Sequence, residues 1–173
     1  AAHHRLLIRE LQAVADGRIP RVMIFLPPGS GKSSYVTKLF SPWLLARPGF
    51  QLIGASHTAD LAEDFSTKIQ SVVRDNSETL GYTLANESKG RWYTSTGSSY
   101  LASGVGGGIP GFRADGAVID DPIKGRQDAD SEQRRKVIWD WFSGDLERRL
   151  TPGAFVVLMH TRWHEDDLAG RLL

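Results

Sequence analysis

The chain has 173 residues, 40% hydrophobic and 24% charged, a length that predicts one domain over residues 1–173 able to bury its own core. It has no cysteine, which excludes disulfides, thiolate zinc sites and a cysteine nucleophile, and no apolar run reaches the roughly 18 residues of a membrane span. Lys and Arg number 21 against 20 Asp and Glu, a net charge of +1, so any nucleic-acid contact must come from local patches.

Helical and strand patterns alternate along the chain, which predicts an α/β domain. Leu6, Leu7, Leu11 and Val14 share one face of a first helix that ends at Asp16-Gly17. Residues 21–26 (RVMIFL) read as a strand buried on both faces, broken by Pro27-Pro28-Gly29. Residues 32–45 follow as a helix through Val36, Leu39, Phe40, Trp43 and Leu44, bent near Pro42. Residues 51–55 give a second buried strand. Residues 60–74 give an amphipathic helix with Leu61, Phe65, Ile69, Val72 and Val73 inward and Asp60/Glu63 as a capping box.

From residue 81 to 103 the pattern turns to short strands (YTLA, RWYTS, SYLAS), which predicts an antiparallel or edge addition. Trp92 and Tyr93, beside Lys89 and Arg91, either stack on a base or pack; packing is the favoured reading. Residues 104–111 (GVGGGIPG) form a loop. Its GxGxxG spacing lacks the strand–turn–helix context of a dinucleotide site, so it reads as a loop near the nucleotide or DNA. A strand at residues 117–119 ends in Asp120-Asp121. Residues 131–150 predict a long helix burying Val137, Ile138, Trp141, Phe142, Leu146 and Leu150. Its six basic and six acidic neighbours over residues 126–149 read as a solvated face. Residues 154–159 (AFVVLM) form the last strand, and residues 165–173 begin a helix. His160 and His164 stand four apart without the HExxH pattern of a zinc site.

The most informative segment is Pro28-Gly29-Ser30-Gly31-Lys32-Ser33-Ser34, between a buried strand and a helix. Glycines there let successive backbone N–H groups turn inward on phosphates, and the helix N-terminus adds partial positive charge. In this phosphate-loop pattern Lys32 reaches the β/γ-phosphates of ATP and the Ser33 hydroxyl binds Mg²⁺. Leu26 holds the position of the pattern's first glycine. Such a loop calls for acids on a second strand, and Asp120-Asp121 supplies them: Asp120 for Mg²⁺, Asp121 to orient the attacking water.

These residues resemble the large subunit of tailed-bacteriophage terminase, the DNA-packaging motor. The resemblance runs through HHRLL, PPGSGKS, GASHTADLAEDFS, GFRADGAVIDDPIKG, WDWFSGDLERRLTPGA and HTRWHEDDLAGRLL, nearly the whole chain. It implies a P-loop NTPase of the additional-strand type: a mainly parallel central sheet flanked by helices, with the 154–159 strand between those of Lys32 and Asp120. It also implies ATP hydrolysis that drives double-stranded viral DNA into a procapsid. The partners implied are portal protein, small terminase subunit and further copies in a ring, in the host cytoplasm, neither secreted nor in a membrane. Thr161 resembles the coupling motif, and His3-His4-Arg5 the adenine-side segment. Many members carry an arginine inside the phosphate loop, where this chain has Pro27-Pro28-Gly29-Ser30. The charge-stabilising arginine is therefore expected elsewhere, in cis or from a neighbouring subunit, with Arg113 and Arg162 as candidates and Arg126 behind them. Asp121 replaces a glutamate of many members, with Glu165 as the fallback. Members continue into a nuclease domain, so the chain reads as a truncated motor domain without nuclease residues. Readings from other classes are a helicase or AAA-type remodeller, a small-molecule kinase and a nucleotide-gated binding module.

Overall fold

The computed structural model describes residues 2–27 and 29–173; Ala1 and Pro28, the latter one of the expected loop residues, lie outside them. Strands β1 (Arg21–Ile24), β2 (Gln51–Ser56), β3 (Arg91–Tyr93), β4 (Ser99–Gly104), β5 (Ala114–Asp120) and β6 (Leu150–Met159) join in the spatial order β1-β6-β5-β2-β4-β3. Every pair is parallel except β3 on β4. The last strand in sequence thus lies between the loop strand and the carboxylate strand. The expected edge addition is half correct. β3 is the antiparallel edge, but β4 is an inner strand parallel to β2, and residues 82–85 (YTLA) contribute a lone bridge, Leu84 to Thr94.

Helix α1 (Ala2–Ala15), a π-helical stretch (Ser34–Leu39) running into α2 (Phe40–Leu45), and α3 (Ala59–Asp75) cover one face, while α4 (Ser77–Leu80) follows α3. On the other face lie α5 (Arg126–Asp130), α6 (Glu132–Asp140), a second π-helical stretch (Trp141–Leu146), a 3₁₀ turn (Glu147–Arg149) and α7 (Leu168–Leu172). The period of two in a strand divides the core. Leu52, Val118, Val157 and Met159 meet the first layer; Ile53, Ile119, Val156 and Leu158 meet the second. Full burial of such a side chain is worth about 1.5–3 kcal/mol, which is why near-continuous apolar runs mark these strands.

Several local expectations shift. Leu6 is exposed, and α1 buries Leu7, Leu11 and Val14 instead. Thr58 caps α3, its hydroxyl accepting from Leu61 N at 3.3 Å, in place of the Asp60/Glu63 box. Pro42 sits inside α2 directly after a π-helical stretch, where the backbone accommodates its missing donor. The long helix ends before Leu150, which opens β6. Gly153, at φ +85°, absorbs the register shift between Ala114 and Gly116. Val137 is exposed. Of the pair expected to pack, Trp92 is fully buried, stacked on Tyr100 and donating to Ser66 Oγ at 2.9 Å, while Tyr93 is exposed with the Arg91 guanidinium over its ring. No residue of the glycine-rich loop lines the hollows on either side of the phosphate loop. It crosses the second face with Val105, Ile109 and Phe112 buried, and Gly107 O accepts from Trp141 Nε1 at 3.1 Å.

Candidate active site

One rung of the sheet builds the site. Ile24 pairs with Met159, Met159 with Asp120 and Asp120 with Ser56, so parallel pairing brings the ends of β1, β6, β5 and β2 to one edge. From that edge the chain leaves β1 into the glycine loop, β5 into Asp121 and β6 into Thr161. Gly29 and Gly31 sit at φ +79° and +81°, a region that side-chain-bearing residues avoid, and Lys32 and Ser33 open the helix beyond.

Lys32 is only 7% exposed. Its Nζ donates to Thr161 Oγ1 at 2.7 Å and pairs with Asp121 Oδ2 at 2.9 Å. The other Asp121 oxygen accepts from the Thr161 N–H at 2.7 Å, while the Asp121 N–H donates to Met159 O at 3.0 Å. Asp121 has φ +45°, the one positive φ of a non-glycine residue among those described. A strained backbone of this kind costs about 1–3 kcal/mol and persists where surrounding bonds over-determine it. Here those bonds aim the carboxylate at Lys32.

Asp120 is buried. Ser33 Oγ donates to its Oδ1 at 3.2 Å and Thr37 Oγ1 to its Oδ2 at 2.7 Å, while Ser56 Oγ donates to its backbone oxygen at 2.8 Å. Burial pushes its carboxyl above the usual carboxylate range, opposed by the hydrogen bonds from Thr37 and Ser33. A carboxylate beside a hydroxyl is a hard oxygen pair. It fits Mg²⁺, which takes one or two carboxylates and completes its shell with phosphates and water. Lys32, Ser33, Asp120, Asp121 and Thr161 line a cleft of about 570 Å³ whose lining also includes His57, Phe65, Lys124 and Trp163. On the other side of the loop, His3, His4, Leu26 and Ser30 line a second hollow of about 600 Å³. His4 Nε2 donates to Ser30 O at 3.1 Å, and its ring lies 4.6 Å from that of Tyr35.

His160, next to Thr161, is fully buried, with Nδ1 4.0 Å from Asp121 Oδ1 and Nε2 3.3 Å from Asp167 Oδ2. Neither nitrogen makes a well-aligned hydrogen bond. Burial lowers its pKa below the ordinary 6.5, against the pull of Asp167 and Asp121. Below pH 6.5 the unfolded chain therefore takes up a proton that the folded chain refuses, so this contribution to stability is full above 6.5 and is lost as pH falls towards the folded value. We expect Tm to drop between about pH 7.5 and 5.5, with a shallower slope in His160→Asn, since the histidine titration is then removed. Parallel slopes for the two proteins would contradict it.

The expected arginines do not line this cleft. Arg113 immediately precedes β5, at the end of the sheet opposite Asp120, some seven residues or about 23 Å away. It is therefore out of reach of its own chain's site. Arg162 Nε donates to Asp167 at 2.9 Å, and its Nη2 reaches the carbonyls of His164 and Glu165 at 3.4 Å. Arg126 is exposed beside Asp130. Glu165 is exposed and also outside the cleft lining. Two residues escape the sequence reading although signals exist. Thr37 stands four residues beyond Ser33 on the same helical face, and Asp167 stands three before Gly170, the spacing of a cap. Leu61 and Phe65, read as core, belong to the cleft wall.

A glycine loop before a helix, a carboxylate pair on the second strand over and an extra strand between them define an α/β domain of the P-loop type. The chain belongs to the terminase large-subunit family: residues 23–171 match the family described as terminase large subunit, T4likevirus-type, N-terminal. Comparison with curated protein sequences gives no match. Among solved structures, the large terminase of bacteriophage HK97 superposes with a TM-score of 0.60 at 13% identity, covering 90% of this chain and 33% of that one. The large terminase ATPase domain of Thermus phage P74-26 gives 0.57 at 17% identity, covering 81% and 58%. The large terminase of another thermophilic bacteriophage, solved in complex with ADP, gives 0.51 at 10% identity, covering 88% and 38%. These likenesses concern the fold, and this chain spans between a third and three-fifths of those chains' lengths.

Proposed function

We propose that this chain is the motor domain of a longer terminase subunit, hydrolysing ATP to drive double-stranded DNA into a viral procapsid in the host cytoplasm. The convergence of Lys32, Thr161 and Asp121 on one cleft, with Ser33 and Asp120 beside them, carries this reading. The ADP bound to the thermophilic-phage terminase supports it. The amides of Gly29, Ser30, Gly31 and Ser34 and the Lys32 ammonium hold the phosphates, and Pro28 belongs to the same loop. Ser33 and Asp120 hold Mg²⁺, which neutralises charge on the β- and γ-phosphate oxygens when bound. Asp121 accepts a hydrogen bond from the attacking water and aligns it with the γ-phosphorus. Thr161, touching both Lys32 and Asp121, senses whether that phosphate is present.

No arginine of this chain enters the cleft among the described residues, so the transition-state arginine comes from a neighbouring copy in a ring, with exposed Arg113 as its candidate. The His4–Tyr35 side of the loop takes the adenine. Portal protein and the small terminase subunit complete the assembly, and cleavage of DNA lies in a nuclease domain outside these residues.

Asp121→Asn tests the reading. It keeps the shape but is a poor acceptor for a water proton, so phosphate release should slow by about 10²–10⁴ while calorimetric ATP affinity changes by less than about tenfold. An equal loss of binding would make Asp121 a structural or metal residue and defeat the assignment.

A further inference from the structure

Thr161 meets Lys32 and Asp121, while both of its chain neighbours meet Asp167. His160 Nε2 lies 3.3 Å from Asp167 Oδ2, and Arg162 Nε donates to the same oxygen at 2.9 Å. The second Asp167 oxygen accepts the Gly170 N–H at 2.9 Å and caps α7. Asp167 thus holds the chain by a hydrogen bond on the Arg162 side of Thr161, lies against the His160 ring on the other, and ties that hold to a helix. Its side chain has no solvent contact. Capping alone does not call for a buried charge, because serine or asparagine caps equally well. A wholly buried carboxylate is costly unless paired and hydrogen-bonded, and here the pairing partner is Arg162. The turn is also fixed from behind: a Cβ on Gly170 would lie 1.7 Å from Glu165 O.

We propose that Asp167 is the positioning residue for Thr161, holding its N–H on Asp121 and its hydroxyl on Lys32 through its bond from Arg162, with the buried His160 ring packed against it. The effect on turnover rests on the hydrolytic reading above; the effect on the placement of Thr161 does not.

The test uses the full chain with Asp167→Asn and Asp167→Ser. Both keep a side-chain oxygen for the Gly170 N–H and remove the charge that holds Arg162. Arg162→Gln, which leaves Asp167 in place, is the companion variant. Hydrogen-exchange protection of the Thr161 amide is expected to fall by about tenfold or more in all three, with Gly170 protected as in the wild type. In steady-state ATP hydrolysis, kcat should fall by about 10–100-fold with KM within about threefold, the signature of misplaced groups. Wild-type protection at Thr161, or equal loss at Thr161 and Gly170, overturns the proposal and leaves Asp167 as a cap. A wild-type chain that neither binds ATP in calorimetry nor hydrolyses it at any protein concentration overturns the hydrolytic reading instead, and the amide measurement still decides the role of Asp167.

Discussion

Lys32→Ala should reduce ATP turnover by about 10³-fold or more, the largest functional effect available at a single position of this chain. Among the described residues, Lys32 is the one cation that touches both Asp121 and Thr161 in the cleft, at 2.9 and 2.7 Å, and its burial gives that charge full weight. Its loss removes the phosphate counter-charge and the link between the two response residues together. Stability should change little. Asp121 is about one-third exposed, so water replaces its lost partner, and Thr161 N still holds its other oxygen. A Tm shift within about 4 °C is the expected companion result, roughly 1 kcal/mol or less for a domain of this size. Turnover within a few-fold of the wild type would remove the phosphate-site assignment altogether.

Gly54→Ala should be among the most damaging conservative changes to the fold. A Cβ on Gly54 would stand 1.7 Å from the Tyr100 hydroxyl and 2.4 Å from Tyr100 Cζ. The ring has nowhere to go: it is buried, stacked on Trp92 at 5.4 Å, and Trp92 is itself tied to Ser66. Overpacking a rigid core site costs typically 1–3 kcal/mol, and here about 3 kcal/mol or more, or about 6–12 °C of Tm. Gly144→Ala is the control, since a Cβ there meets nothing within 4 Å. Thermal unfolding of the pair checks this, and similar Tm values would mean that Tyr100 repacks.

The two predictions rest on different kinds of legibility. Lys32, Ser33, Asp120 and Asp121 are readable because a phosphate loop and a strand ending in acids are local patterns. Gly54 is not. Its reason is the ring of Tyr100, two positions along on the neighbouring strand, and cross-strand register leaves no mark in a local window. The sheet order follows from the family resemblance, since no local signal separates a parallel from an antiparallel short strand; β4 departs from its expected pairing for that reason. Arg113 falls far from the cleft because β5 starts at Ala114 rather than Ala117, which carries the arginine to the opposite end. Leu61 and Phe65 follow helical periodicity, but their turn of α3 overlooks the cleft. In His164-Glu165-Asp166-Asp167, composition cannot tell which acid is buried; only the packing of α7 selects Asp167.

The position of β6 has a consequence for how the molecule comes into being. Among the described residues, β1 is an edge strand whose one sheet neighbour is β6, and β6 comes last in the chain of the six strands. Until residues 150–159 leave the ribosome, β1 has nothing to pair with, and the loop that follows it has no fixed relation to Asp120. The arrangement of Lys32, Asp121 and Thr161 is therefore a late event, closed by the most sequence-distant pairing in the sheet, and such non-local closure is slow. A nascent chain can form the β2–β4–β3 part early, yet it brings the glycine loop and Asp120 together only when β6 enters between β1 and β5.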